Sequence, residues 1–384
     1  MIIARKLRIG ISGSYGGINM GDEAILQSML AQIKKSFNAH ITIFSKNPED
    51  TIKRHGVDHS IDIRKRSKND IKHEIESLDV FILGGGGILY DNAAEFFLRE
   101  VEMANEAGVP VFVYAISAGP LNKHFNRKLV ASILNEVEVI TVRDNKGKIL
   151  LEDLGVEKEI VVTADPAVLL SPEKLPEDAL LKEGLSSKKH LIGLSVREPG
   201  PAAPHIDINH YHSLLADVAD FLIERIGAHI VFVPMERNYK DLQHGHAVIS
   251  KMINAQHASI LQQEYTSGEL LAWMGHFDFV VGMRLHFLIF SAIMGVPFIP
   301  LPYASKVEGF IEELDLDMPP LSEVTSGRLL AHVDHSWDTR NELKALINKN
   351  FPIMQKRALV TNQLLIEMIK NHLSETDYAG LRAT

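Results

Sequence analysis

Phe277-Asp278-Phe279-Val280-Val281-Gly282-Met283-Arg284-Leu285-His286-Phe287-Leu288-Ile289-Phe290-Ser291-Ala292-Ile293-Met294-Gly295 is the stretch that decides the fold. Phe277–Val281, apolar except for Asp278, has the length of a strand. Gly282 breaks it, and Phe287–Met294 continues as an apolar helix that stops at Gly295, a residue suited to a left-handed helix end. A buried strand feeding a buried helix is half of a βαβ unit. Arg284 and His286 fall at the join, where a helix start offers unpaired N–H groups and favours an anion. Packing alone gives little reason for two such residues inside an apolar run. Arg284 supplies a rigid fork of donors, and His286 can give or take a proton near neutral pH.

The same rhythm extends in both directions. Leu7–Ser12, Ile41–Ser45, Val80–Leu83, Val111–Ser117, Val139–Val142 and Ile160–Thr163 read as strands in the first half. Asp22–Phe37, Ala93–Ala107 and Asn126–Glu136 read as helices between them. The second half repeats it, with strands at Leu191–Val196, Ile230–Val233 and Phe298–Leu301 and a helix at His212–Ile226. Ser171–Lys189, rich in Pro, Glu and Lys, reads as a linker, and Asn341 to Leu373 as one or two amphipathic helices. The expectation is an α/β protein of two Rossmann-like lobes facing a cleft, residues 1–175 and 176–340. A helical tail, 341–384, packs back on the first lobe. A chain of 384 residues is too long for one ordinary core, in keeping with this division.

Composition excludes several classes. The net charge is −9, so no basic face is expected for nucleic acid. The basic cluster Arg64-Lys65-Arg66 with Lys68 reads as a solvated turn or a weak membrane-facing patch. With no cysteine there is no disulfide, thiolate metal site or cysteine nucleophile. Met1-Ile2-Ile3-Ala4 leads straight toward a strand, so no signal peptide is expected. The apolar stretch from Leu285 to Leu301 is interrupted by His286, Gly295 and Pro297, so no membrane span is expected either. The expected location is the cytoplasm, free or at the inner face of the membrane. His210/His212 and His244/His246 have a spacing that suits a metal only on a strand, so no metal is expected.

Chemistry in open α/β sheets sits in the loops after the strands. Gly13-Ser14-Tyr15-Gly16-Gly17-Ile18-Asn19-Met20-Gly21-Asp22-Glu23 opens a helix without the dinucleotide spacing. It reads as an acceptor-binding loop or as a tight turn with Asp22 as helix cap. Gly84–Gly87, followed by Asp91 and Asn92, reads as a close approach of backbone to ligand or of packed elements. Ser117-Ala118-Gly119-Pro120 lines a cleft or only turns the chain. Thr141-Val142-Arg143-Asp144 offers an anion clamp or an Arg–Asp pair. Lys306, in Leu301-Pro302-Tyr303-Ala304-Ser305-Lys306, suits a phosphate and is expected near Arg284 on an adjacent strand.

The motifs Gly21-Asp22-Glu23-Ala24-Ile25, Gly84–Gly87, Val142-Arg143-Asp144, Ala164-Asp165-Pro166, Met283-Arg284-Leu285-His286 and Tyr303-x-x-Lys306 occur in this order. In order and spacing the chain resembles the polysaccharide pyruvyl transferase family over roughly residues 8 to 315. The likeness is to bacterial members that pyruvylate secondary cell-wall polysaccharide precursors. The resemblance implies a glycosyltransferase-B-like (GT-B-like) fold and phosphoenolpyruvate as donor. It implies a sugar acceptor, typically N-acetylmannosamine on a lipid-linked disaccharide, and a cyclic 4,6-ketal product. It assigns the donor to Arg143, Arg284, His286 and Lys306, with His286 and Arg284 catalytic. The acceptor falls to Gly16, Asn19, Asp22, Gly85, Gly86 and Asp91. Phosphoenolpyruvate enters as a co-substrate, with no other cofactor. The base that takes the hydroxyl proton stays open among Asp22, Asp91 and Asp165. Two rivals stand beside this reading: a nucleotide-sugar glycosyltransferase of the same architecture, with Glu308 on a ribose, and a non-catalytic binding protein. Any membrane attachment is expected to be weak and peripheral.

Overall fold

The computed structural model describes residues 5–63, 65–185, 190–198, 206–236, 240–318, 323–373, 378 and 380–381. The chain forms two units: Met1–Gly17, Asp22–Leu169 and Met354–Thr384 make the first, and Ile18–Gly21 with Leu170–Ile353 the second. The sequence put the divisions near residues 175 and 340. They fall at Leu169 and, inside a helix, at Ile353, and four residues of the first glycine loop belong to the second unit.

The first unit holds β1 (Leu7–Ser12), β2 (Ala39–Ser45), β3 (His59–Asp62), β4 (Val80–Leu83), β5 (Gly86–Leu89), β6 (Val111–Ala118), β7 (Val139–Val142) and β8 (Ile160–Val162). They lie in the order β3-β2-β1-β4-β6-β7-β8, with β5 beside β6, and all pairs are parallel. The central strands β4 and β6 are buried along most of their length, as in parallel sheets covered on both faces, so they read as near-continuous apolar runs rather than alternating ones. Chain order reverses between β1 and β4, and the two glycine loops follow these strands. The second unit holds β9 (Leu191–Ser195), β10 (His229–Phe232), β11 (Ala258–Ile260), β12 (Phe279–Gly282) and β13 (Phe298–Pro300). They form a parallel sheet in the order β11-β10-β9-β12-β13. Its reversal lies between β9 and β12, a switch point that opens a crevice beyond the strand ends.

β3, β5 and β11 are strands that the sequence did not announce, being short and carrying His, Ser or Gly in place of apolar runs. The expected linker is docked on the second unit. Glu183 accepts the Gln262 and Gln263 N–H groups at 2.7 and 2.9 Å and the Tyr265 hydroxyl at 2.8 Å. Residues 186–189 of it lie outside the described residues. From Arg340 to His372 the tail is a single helix, with Pro352 inside it at the division between units. Proline removes a helical hydrogen bond, so the interruption falls where the chain changes partners. Beyond it the helix joins the first unit: Gln355 Nε2 donates to the Val168 carbonyl (3.0 Å), and Thr361 meets Thr163 (2.8 Å). In the basic cluster Arg64 lies outside the described residues, while Lys65 and Lys68 pair with Asp62 and Glu102. No helix among the described residues is long and apolar enough to cross a membrane.

Candidate active site

In the second unit three neighbouring strands end level with one another. Ser195 pairs with Gly282, and Gly282 with Pro300. Arg197, Arg284 and Tyr303 therefore emerge side by side just past the sheet. Arg284 caps the helix Leu285–Ile293 in extended conformation. Its Nη2 donates to Glu236 at 2.8 Å and also reaches Asp241, and its Nε donates to Asp241 at 3.1 Å. Asp241 is only 2% exposed and also accepts the N–H groups of Met235 and Glu236. Burial opposes the charge on Arg284, but Asp241 and Glu236 outweigh it and hold the guanidinium protonated. Arg284, expected as a bidentate partner for an anion, thus has much of its fork engaged by two carboxylates.

His286 sits in the first turn of the same helix, partly buried. The segment Ile18–Gly21 is pinned beside it. Met20 N–H donates to the Met235 carbonyl (2.8 Å), Ser267 Oγ donates to the Met20 carbonyl (2.7 Å), and Asn19 bridges Glu236 through the backbone. A Cβ on Gly21 would lie 2.0 Å from His286 Nδ1, so glycine is what lets the loop press against the imidazole. The helix begins at Met20, and Asn19 Oδ1 accepts the Gly21 N–H at 3.0 Å. Asn19, not Asp22, plays the cap.

Tyr303, 5% exposed, stands between two further cations. Arg197 lies over its ring at 4.7 Å and donates from Nη1 to its hydroxyl at 2.7 Å, and Lys306 Nζ is 5.9 Å from the ring centre. Burial would raise the phenol, but Lys306, Arg197 and Arg284 together bring it below its ordinary value. Lys306 and Arg284 are thus gathered around one tyrosine. Arg197 was missed in the sequence, although it ends a strand as Arg143 does.

The first unit holds the remaining candidates. Arg143, buried at the end of β7, pairs with Asp165 at 2.8 Å and Asp144 at 3.6 Å. Asp144 caps the helix Asn145–Asp153 through the Gly147 N–H. Asp165 is engaged by Arg143 and by the Ala167 N–H. The four glycines differ in purpose. Gly84 leaves room for the Tyr15 hydroxyl, and Gly85 for the carbonyls of Tyr114 and Ala115, where β6 bulges and Ala115 has φ +47°. Only Gly86, near the Asp22 carboxylate, and Gly87, near Arg143, adjoin polar candidates. Gly16 has φ +71° and no space for a side chain beside Ser45, and its N–H donates to Glu23, which is buried against His55 at 2.7 Å. Asp91 binds its own loop, accepting from Asn122, Lys123 and Asn126. Burial would raise its carboxyl, but these donors hold it below the usual range, a poor setting for a base. Ser117 donates to Asp144, so its loop has a structural task.

The paired histidines are on helices, where residues two apart face different ways. Instead His212 Nε2 meets His244 Nδ1 at 2.7 Å. Among the described residues no cluster of three His, Asp or Glu could hold a metal ion.

Among solved structures the chain is similar to an enzyme described as a UDP-N-acetylglucosamine 2-epimerase from Listeria monocytogenes, with 12% identity and TM-score 0.64 over 96% of this chain and 97% of that one. It is equally similar to a glycosyltransferase from Rickettsia africae, with 14% identity and TM-score 0.64 over 97% and 100%. At such identities the likeness shows the fold alone: two Rossmann-like lobes of the GT-B-like kind. Among curated proteins it matches the amylovoran biosynthesis protein AmsJ of Erwinia amylovora, 20% identical over 78% of this chain and 74% of that protein. A model of polysaccharide pyruvyl transferases matches residues 19–305, which run from the pinned glycine loop to the helix bearing Lys306. The match takes in every strand end described above except that of β1, and the chain belongs to the polysaccharide pyruvyl transferase family.

Proposed function

We propose that this pyruvyl transferase takes its pyruvyl group from phosphoenolpyruvate and forms a 4,6-ketal on a sugar, with release of phosphate. The observation that carries the reading is His286 at a helix start in a unit that also gathers Lys306 and two arginines around Tyr303. Phosphoenolpyruvate bears a carboxylate and a phosphate and needs a proton on its methylene carbon. His286 supplies that proton, leaving an oxocarbenium-like centre at C2. One sugar hydroxyl adds there. The second displaces phosphate and closes the ring, and the two hydroxyl protons leave with the base and the phosphate. Cations near the donor stabilise the departing charge. Arg143, fixed by Asp165 with Gly87 beside it, is also proposed as a donor residue. Asn19, Asp22 and Gly86 are the acceptor residues best supported by their surroundings. Gly16, Gly85 and Asp91 have structural tasks that account for them.

The proposed acceptor is N-acetylmannosamine of a lipid-linked cell-wall glycan precursor, met in the cytoplasm at the inner face of the membrane through weak peripheral attachment. The reading uses no metal or further cofactor. Calorimetric titration separates it from a nucleotide-sugar glycosyltransferase. Phosphoenolpyruvate should bind and UDP-sugars should not. Binding of a UDP-sugar with no binding of phosphoenolpyruvate would overturn it.

A further inference from the structure

We propose that Arg197 and Lys306, presented on either side of Tyr303, are the pair that binds the phosphate of the donor, while Arg284 is a positioning residue. The assignment rests on the phosphoenolpyruvate reading and goes beyond it by dividing the cations by task.

Strand order places Arg197 there. β9 and β12 are neighbours across the reversal of the second sheet, so the residues just past Ser195 and Gly282 line its crevice. Arg197 is two residues past the first and Arg284 two past the second. Charge pairing then separates the two arginines. Arg284 is matched by Asp241 and Glu236. Among the described residues no carboxylate forms an ion pair with Arg197 or Lys306. The nearest acid in sequence, Glu198, is taken by Lys240. Two cations without a direct ion pair to any described carboxylate flank one buried phenol, and together with Arg284 they bring that phenol below its ordinary value.

Arg197 is also held in advance of any ligand. Its N–H donates to the Tyr211 hydroxyl at 3.1 Å, and that hydroxyl donates to the Arg197 carbonyl at 2.9 Å. Nε donates to the Glu198 carbonyl (2.8 Å) and Nη1 to Tyr303. Nη2 makes no hydrogen bond with any described residue. A guanidinium fixed at backbone, Nε and Nη1, with Nη2 left over, suits one oxygen of a phosphate. Lys306, exposed in the first turn of the helix Ser305–Glu313, suits a second as a point charge. Arg284 acts through what it ties together: the cap of the His286 helix, Asp241, and Glu236, which bridges Asn19.

The test measures affinity for phosphoenolpyruvate and for inorganic phosphate, alongside the thermal midpoint, in Arg197→Met, Arg197→Lys, Lys306→Met and Arg284→Met. Arg197→Met and Lys306→Met should each weaken both ligands tenfold or more with an unchanged midpoint. Arg197→Lys, which keeps the charge, should recover part of the phosphate affinity. Arg284→Met should lower the midpoint and reduce kcat more than it raises KM for the donor. Wild-type affinity in folded Arg197→Met would overturn the assignment while leaving the donor reading intact. So would an Arg284→Met that loses phosphate affinity without losing stability. If the wild type binds phosphate but not phosphoenolpyruvate, the donor reading fails and the anion site stands.

Discussion

Gly21 and His286 make one device from residues 265 positions apart in the chain, a Cβ's width from each other. Gly21→Ala would put a methyl 2.0 Å from Nδ1, so the imidazole must swing away. Overpacking of this kind costs about 1–3 kcal/mol. Activity should fall by a larger factor than stability accounts for, and steady-state kinetics with a thermal melt on the same sample check this. His286→Gln removes the proton donor and keeps the volume. Turnover should drop by roughly 10²–10³, within the range for a positioned acid, while donor affinity measured by calorimetry stays within a few-fold. A binding protein without chemistry would show no such split. His286 was legible because it breaks an apolar run. The partners of Arg284 were not, since Asp241 lies 43 residues away and meets it only through folding. The strand that leads to Arg197 was legible, but only strand order reveals that it lies next to β12.

At the scale of elements, a histidine pair ties the helix Ile208–Ile226 to the helix Asp241–Ile249, which carries the Arg284 partner. Burial lowers His212 to about 4, with His244 beside it adding to the effect. Burial also lowers His244, against the pull of Glu198. The folded state resists a proton that the unfolded chain accepts, so this contribution is whole above about pH 6.5 and is lost as the pH falls toward 4. Urea unfolding should show a loss on the order of 1–2 kcal/mol between pH 7 and pH 5. His212→Gln should flatten that dependence, and an unchanged slope would remove the pair from the account. A second tie is Glu23, buried between His55 and the Gly16 N–H. Removing one partner of a buried hydrogen bond leaves the other unsatisfied at a cost of about 1–3 kcal/mol, so His55→Ala should depress the thermal midpoint. The strands that were legible are those with unbroken apolar runs. β3, β5 and β11 depend on neighbours for their pairing and carry too little local signal.

For the whole molecule, the alternation of strands and helices was enough to expect two parallel sheets, because a crossover helix between parallel strands leaves a periodic trace. Where the chain changes units was not legible. The passage at Ile353 lies inside a continuous helix, and the detour of Ile18–Gly21 occupies four residues of a glycine loop. The helix past Pro352 completes the first unit, burying Met354, Ala358, Leu365, Met368 and Ile369. Ending the chain at Ile353 should expose that face and give an aggregating product, seen as a loss of the monomer peak in size-exclusion chromatography. Family membership establishes pyruvyl transfer, and the donor is the claim on which the rest depends. Its most direct test is turnover of phosphoenolpyruvate with a lipid-linked N-acetylmannosamine disaccharide. Phosphate and the ketal product are followed together, the latter by mass spectrometry. One phosphate should be released per ketal formed, with both lost in His286→Gln. Ketal formed without consumption of phosphoenolpyruvate, or phosphate released without a ketal, would contradict it.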